Sequence, residues 1–228
     1  AAMQKHQLSL SGGNATTTYY ISGEYLKQAG VALGSGFDRY GFRVNLDNKP
    51  REWITIGLNL NFNQTNDKLT TSSEGVISDA LQLTPQIPVK DLNGQWGGSN
   101  DINGGTQYAP VNPIAIASVR TNKNRRRQMQ GGLNVGFNVA KGLTLRTSFN
   151  TDISYSNATY FNPTYDWGSN ARNPSAVLNN FTNNSTYWNW NQLAEYNKQI
   201  GKHSIGLMAS HEAQQSNWQN MSAGRTGF

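Results

Sequence analysis

The sequence predicts an all-β chain: a segment of a transmembrane antiparallel β-barrel with about eight long strands, short turns on one side and long loops on the other. Three observations predict it. First, apolar and polar residues alternate in long runs, above all where Ile54, Ile56, Leu58, Leu60 and Phe62 are separated by Thr55, Gly57, Asn59 and Asn61. Successive side chains of a strand point to opposite faces, so this run has one greasy face and one wet face. Its apolar part, about 9 residues, is what a tilted strand needs to cross bilayer hydrocarbon. Second, charge is scarce. Charged residues make up 14% of the chain, against roughly 25% in an ordinary soluble domain, and Gly, Asn, Ser and Thr take their place. A barrel wall in lipid needs no charge outside and uncharged polar groups within. Third, the connections between alternating runs are short and long by turns.

Taken in order, residues 4–13 alternate through Leu8 and Leu10 and break at Gly12-Gly13-Asn14, a turn signal. TTTYYISGEYLKQAG follows, rich in the strand formers Thr and Tyr. A looser connection over Gly30 to Asp38 leads into RYGFRVNLD, with Tyr40, Phe42, Val44 and Leu46 on one face and Arg39, Gly41, Arg43 and Asn45 on the other. Asp47 and Asn48 favour a turn, and Pro50 cannot donate to a ladder, so DNKP is expected to close a hairpin with the strand from Ile54. From Lys68 to Asn124 no alternation lasts. Glu74 to Leu83 suits a short helix stopped by Pro85, Asn93-Gly94 a turn, and NPIAIASV a further helical turn. A connection of more than about 50 residues is far beyond the usual few, which marks it as functional rather than a mere link.

Alternation returns with Met129, Leu133, Val135, Phe137 and Val139 on one face and Gln130, Gly132, Asn134, Gly136 and Asn138 on the other. Lys141-Gly142 turns the chain, after which Leu143, Leu145, Phe149 and Ile153 oppose Arg146, Ser148, Asn150 and Asp152. A second irregular stretch is expected over 157–184. The final hairpin turns at Gly201; its first strand alternates poorly, since Leu193 and Tyr196 fall on opposite faces. The short turns are thus Gly12–Ala15, Asp47–Pro50, Ala140–Gly142 and Ile200–Lys202, and the long connections 28–38, 67–125 and 157–184. A soluble sandwich also alternates, but with shorter strands and less segregated loops.

The absence of Cys excludes a disulfide framework and a thiolate metal site. A net charge of +6 is a mild, diffuse bias that names no partner. The chain opens AAMQKHQ, straight into a strand and without a signal peptide, as a mature secreted protein or a piece of a longer polypeptide would. His6, His203 and His211 lack metal-ligand spacing and read as strand-end residues. No nucleophile motif or spaced acid pair points to catalysis. GSGFDRYG misses dinucleotide-binding spacing. Arg125-Arg126-Arg127 with Lys123 has no aromatic platform or recognition helix, so nucleic acid is not expected; a rim patch meeting lipid phosphates, or a solvated strand start, fits better. Aromatics fall into two groups. Tyr19, Tyr40, Trp53 and Tyr155 are placed near strand ends, where interfacial girdles belong. Trp96, Tyr108, Tyr165 and Trp167 occupy the long loops. They are the candidates for substrate contact, by stacking on sugar rings, or else they pack the loops on one another.

The elements HQLSLSGGNATTTYYISGEYLKQAG, DRYGFRVNLDNKPREWITIGLNLNF, AKGLTLRTSFNTD and GKHSIGLMASHEAQ together resemble the barrel of the SusC/RagA-family TonB-dependent outer-membrane transporters, over most of residues 5–215. The resemblance implies a protein several times longer, with a plug domain inside a barrel of about 22 strands. Residues 1–228 would then be barrel wall alone, with no plug domain. It further implies a place in the bacterial outer membrane, in contact with its lipid. It implies energy from a TonB complex acting through parts outside this chain, a SusD-like surface lipoprotein as lid, and import of a nutrient such as an oligosaccharide or peptide, with no cofactor and no catalysis. Two other classes fit the residues alone: a soluble or surface-exposed carbohydrate-binding β-protein, and a small complete barrel with a structural or adhesive role. Detergent dependence separates the first from a transporter, and the length of the whole protein separates the second.

Overall fold

The computed structural model describes residues 1–69, 76–92, 94, 96–97, 111–167 and 172–228. Among the described residues ten strands and two short helices follow one another: β1 (Met3–Gly13), β2 (Thr17–Ala29), β3 (Gly36–Arg51), β4 (Ile54–Lys68), α1 (Val76–Gln82), α2 (Pro113–Val119), β5 (Thr121–Ala140), β6 (Leu143–Asn162), β7 (Tyr165–Asp166), β8 (Arg172–Asn173), β9 (Val177–Ile200) and β10 (His203–Thr226). Eight of them form one antiparallel sheet in the order β1-β2-β3-β4-β5-β6-β9-β10, each strand beside its neighbour in the chain; β7 and β8 make a separate small ribbon. The sheet does not close on itself. Up-and-down order places every short turn at one end and every long connection at the other.

Register explains the two faces. Val44 pairs with Leu60, Leu58 with Leu133, Ile56 with Val135 and Phe137 with Leu145, so the apolar positions of successive strands share one surface. Asn59 pairs with Gly132, Asn134 with Ser148 and Gly136 with Arg146 on the other. That polar face is the concave one. A cavity of about 630 Å³ lies against it, bounded by residues from the β1–β2 turn to the last strand, among them Thr16, Asp47, Asn134, Arg146, Asn191 and Ser210. Leu193, opposite Arg146, belongs to the concave face and Tyr196, opposite Leu143, to the outer one.

The apolar face is bare. Among the described residues the buried hydrophobic side chains are Val76, Ala115, Ile116, Ala117 and Ala176, and none of them lies in the eight-stranded sheet. Leu133 is 45% exposed, Trp190 47% and Leu207 64%. Monomeric soluble proteins rarely leave so extended an apolar surface open. At ~3.3 Å per residue, the outward run from Ile54 to Phe62 covers ~26 Å along β4 and that from Leu143 to Tyr155 ~40 Å along β6. Tilted by ~45°, such runs make a band close to the ~25 Å height of lipid-facing barrel surfaces. Every backbone group inside such a band needs a partner, and the continuous ladder from β1 to β10 supplies it.

Three boundaries differ from the sequence expectation. The β3–β4 connection is not at Asp47–Pro50: β3 runs on to Arg51, the register shifts between Asn48 and Arg51, and the chain turns at Glu52 and Trp53. Pro50 sits in that bulge, where a missing N–H costs no ladder bond, while the Lys49 N–H donates to the Thr16 carbonyl at 2.6 Å. The stretch 157–184 is mostly strand, since β6 continues to Asn162 and β9 begins at Val177. The first long connection shrinks to residues 30–35. His211 also departs from its expected place, standing in mid-strand opposite Gln192 rather than at a strand end. At Gly142 the backbone takes φ +81°, as a tight turn there requires.

Candidate functional site

At the long-loop end the described parts of the connection after β4 pack together into a small body. Asn112 caps α2, its side-chain oxygen accepting from the Ile114 and Ala115 N–H groups, with Pro113 in the first helical turn. The same side chain is buried and its amide donates to the carbonyls of Val89 at 3.2 Å and Gly97 at 2.9 Å, tying the strap before the helix to the helix start. The apolar side of α2 meets α1 through Val76, Ile116 and Ala117, and Val111, Tyr165 and Trp167 pack on that cluster. The two long connections are therefore joined. Arg120, at the end of α2, strengthens the join by donating to Asn162 at 2.8 Å and to the Tyr165 hydroxyl at 3.4 Å.

Three of the four candidate aromatics come together here. Tyr165 stacks on Trp167 with ring centres 4.2 Å apart, and Trp167 meets Trp96 at 6.4 Å in a tilted arrangement. The Lys90 ammonium lies 3.5 Å over the Trp96 ring, a cation–π contact. All three rings are half-buried, each with surface left over. Tyr108 lies outside the described residues. Asn112, Lys90 and Arg120 complete the cluster and were not singled out from sequence. The Asn-Pro pair opening NPIAIASV carried the capping signal for the first; for the two cations nothing local distinguished them from any loop Lys or Arg.

The concave face below is polar and largely self-satisfied. Glu24 is held between Lys5, at 2.9 Å, and Arg39. Gln128 and Gln130 both donate to Asp152, Asn189 donates to Glu212, and Arg146 pairs with Glu195 at 3.3 Å. The outer face instead carries ring contacts. Tyr25 and Tyr40 lie 5.1 Å apart, Trp53 stacks on Phe137 at 6.3 Å and Phe149 on Trp188 at 6.2 Å. Tyr40 and Tyr155 stand inside their strands, because β3 and β6 continue past them toward the loops. Among the described residues no group of three His, Asp or Glu could hold a metal ion.

This architecture has close counterparts. No family model matches the chain. It is 24% identical, over 97% of its length, to TonB-dependent receptor P3 of Formosa agariphila, and 24% identical, over 89%, to TonB-dependent receptor P26 of the same organism. The chain spans 22% and 20% of these relatives. Among solved structures the RagAB peptide transporter matches 99% of this chain and 26% of that one, with a TM-score of 0.79 at 23% identity. FpvA of P. aeruginosa bound to heterologous pyoverdines matches 96% of this chain and 26% of that one, with a TM-score of 0.60 at 12% identity. Fold and bare apolar face define a barrel-like segment of an outer-membrane protein. These likenesses support reading the chain as similar to part of a SusC/RagA-type TonB-dependent receptor.

Proposed function

We propose that the chain serves TonB-dependent import across the outer membrane, with residues 1–228 forming barrel wall and exterior loops and contributing no plug. The observation that carries this is the eight-stranded sheet with a bare apolar outer face and a polar, hydrogen-bonded concave face. A soluble carbohydrate-binding protein would bury the first. The cargo is an oligosaccharide or a peptide. A lumen of amides and paired charges suits molecules dense in hydroxyl or amide groups, and the structurally similar RagAB is a peptide transporter. The Trp96, Tyr165 and Trp167 cluster meets cargo at the mouth beneath a SusD-like surface lipoprotein, and TonB acts through parts of the protein outside this chain.

The test is uptake of labelled oligosaccharide and peptide pools by cells carrying the full-length receptor. Uptake is expected to stop when the proton-motive force is collapsed; passive flux that survives collapse would refute active import. Within that assay Trp96→Ala removes one stacking face, about 1 kcal/mol, or roughly fivefold in cargo affinity, while folding is retained. If instead the loop becomes protease-sensitive and affinity for captured cargo is unchanged, the cluster serves loop packing alone.

A further inference from the structure

On the outer face, beyond the apolar band, the side chains change abruptly from apolar to cationic. The alternation that places Phe62 outward continues through Gln64, Asn66 and Lys68 on β4, and that of Met129 continues through Arg127, Arg125 and Lys123 on β5. Register brings these together: Lys68 lies directly opposite Lys123, and Arg125 stands between Asn66 and Asn157. Lys27 joins them from β2 across Asp38. A groove of about 690 Å³ runs over these residues, from Lys27 through Lys68, Lys123 and Arg125 to Thr159.

Cations outnumber acids in this groove, and they are not paired at contact distance. Among the described residues no ion pair within 4.0 Å involves Lys27, Lys68, Lys123, Arg125 or Arg127. Both outward arginines donate only to neutral amides, Arg125 to Asn66 at 3.2 Å and Arg127 to Gln64 at 3.0 Å. Two acids, Asp38 and Asp67, also line the groove, and among the described residues neither is within 4.0 Å of a cation. Arg126 between the two arginines points to the concave face, where Asp67 is its diagonal neighbour and lowers its isolation. Like charges directly opposite in a sheet repel, so the Lys68–Lys123 pair calls for an anion between them. Arg127 shares the row of Tyr40, Gln64 and Tyr155, one outward position past the Phe42, Phe62 and Met129 row, and Arg125 and Lys123 follow at the next two outward positions, beyond the apolar band where headgroup phosphates of a bilayer would stand.

We propose that this groove binds the phosphate groups of a lipid in the leaflet at the long-loop end. The inference rests on the reading that the apolar outer face meets lipid. Guanidinium and ammonium groups on adjacent strands suit a phosphate, Arg as a planar fork and Lys as point charges. The neighbouring apolar band continues the site toward the acyl chains, which a free anion would not use.

The full-length receptor, purified in a mild detergent, is compared with the Lys68→Gln/Lys123→Gln/Arg125→Gln variant by native mass spectrometry after exchange into nanodiscs of zwitterionic lipid doped with lipid A. The wild type is expected to retain lipid A and the variant to lose at least about tenfold of it. A Lys141→Gln/Lys202→Gln variant at the short-turn end should retain it fully. Inorganic phosphate at equal concentration should not displace it. Equal retention by the triple variant, or displacement by inorganic phosphate, would overturn the proposal. Should the triple variant fold poorly, Lys123→Gln alone decides. Without lipid A it should melt higher than wild type, because the repulsion with Lys68 is relieved; with lipid A it should melt lower. The same order of melting in both conditions counts against a bound phosphate. If the receptor needs no detergent at all, the membrane reading itself fails, a result distinct from loss of lipid A alone.

Discussion

At Leu58 and Asn59 two adjacent residues of one strand meet different solvents. Leu58 faces outward between Leu46 and Leu133, and Asn59 faces the concave side between Asn45 and Gly132. An Arg at a mid-membrane lipid-facing position costs about 2–4 kcal/mol, whereas a lumen wall tolerates it. Leu58→Arg in the full-length receptor should therefore sharply reduce the folded, heat-resistant form in the outer membrane, and Asn59→Arg should leave most of it. Equal yields would sink the face assignment. This much was legible in the sequence, because a period of two places a whole strand's side chains once a single residue is placed. At the candidate site legibility was poorer. Trp96, Tyr165 and Trp167 stood out as aromatics in polar loops, but their meeting depends on Asn112, Arg120 and the α1–α2 contact, which join segments far apart in the chain.

Turns are the elements on which each hairpin depends, and two of them share a left-handed glycine while differing in surroundings. Gly142 has φ +81°, and a Cβ there would lie 2.0 Å from the Asn197 carbonyl oxygen, whereas Gly201 has φ +60° with open space around it. Gly201→Ala should cost about 1–2 kcal/mol, the left-handed penalty alone. Gly142→Ala adds a backbone clash with β9 and must displace the turn, so its urea midpoint in detergent should fall further; the reverse order would contradict the geometry. In α1, burial pushes the Asp79 carboxyl above its ordinary 3.8, with the Arg120 guanidinium opposing the shift. The folded loop thus holds a proton that the unfolded loop releases between 3.8 and the raised value. Loop stability should rise as pH falls through that window and be flat below 3.8. Hydrogen exchange of α1 would show this, and Asp79→Asn should flatten the profile. Strand ends were the least legible elements. Past Tyr155 and before Tyr187 Asn, Ser and Thr are frequent on both faces, and Tyr160, Phe161 and Phe181 are spread over the two instead of sharing one. The ladder nevertheless continues, with Asn157 opposite Thr182 and Asn162 opposite Val177. Alternation reports a difference between two solvents and is silent where both faces meet water. At Asp47–Pro50 the local turn signal was overridden by a bulge that carries the strand further.

Across the whole molecule, one sheet carries two bodies of unequal dependence, the wall and the folded connection between β4 and β5. The ladder does not need that connection. Leu69 still donates to the Asn122 carbonyl at 2.9 Å and Lys68 pairs with Lys123, so the strand ends are already in hairpin register. The connection does need its neighbour, since Tyr165 and Trp167 of the next loop pack on Val76, Ile116 and Ala117. Replacing residues 71–119 of the full-length receptor by a few Gly and Ser residues should leave membrane insertion and heat-resistant folding unchanged. Two further effects are expected. The loop holding Tyr165 and Trp167 loses its apolar support and becomes open to protease, and cargo uptake ceases because the mouth has lost both its aromatic cluster and the surface a lid would meet. Unchanged uptake would remove the functional claim for the connection. Loss of heat-resistant folding would make the connection a structural part of the wall, contrary to a ladder that runs complete from β1 to β10 without it.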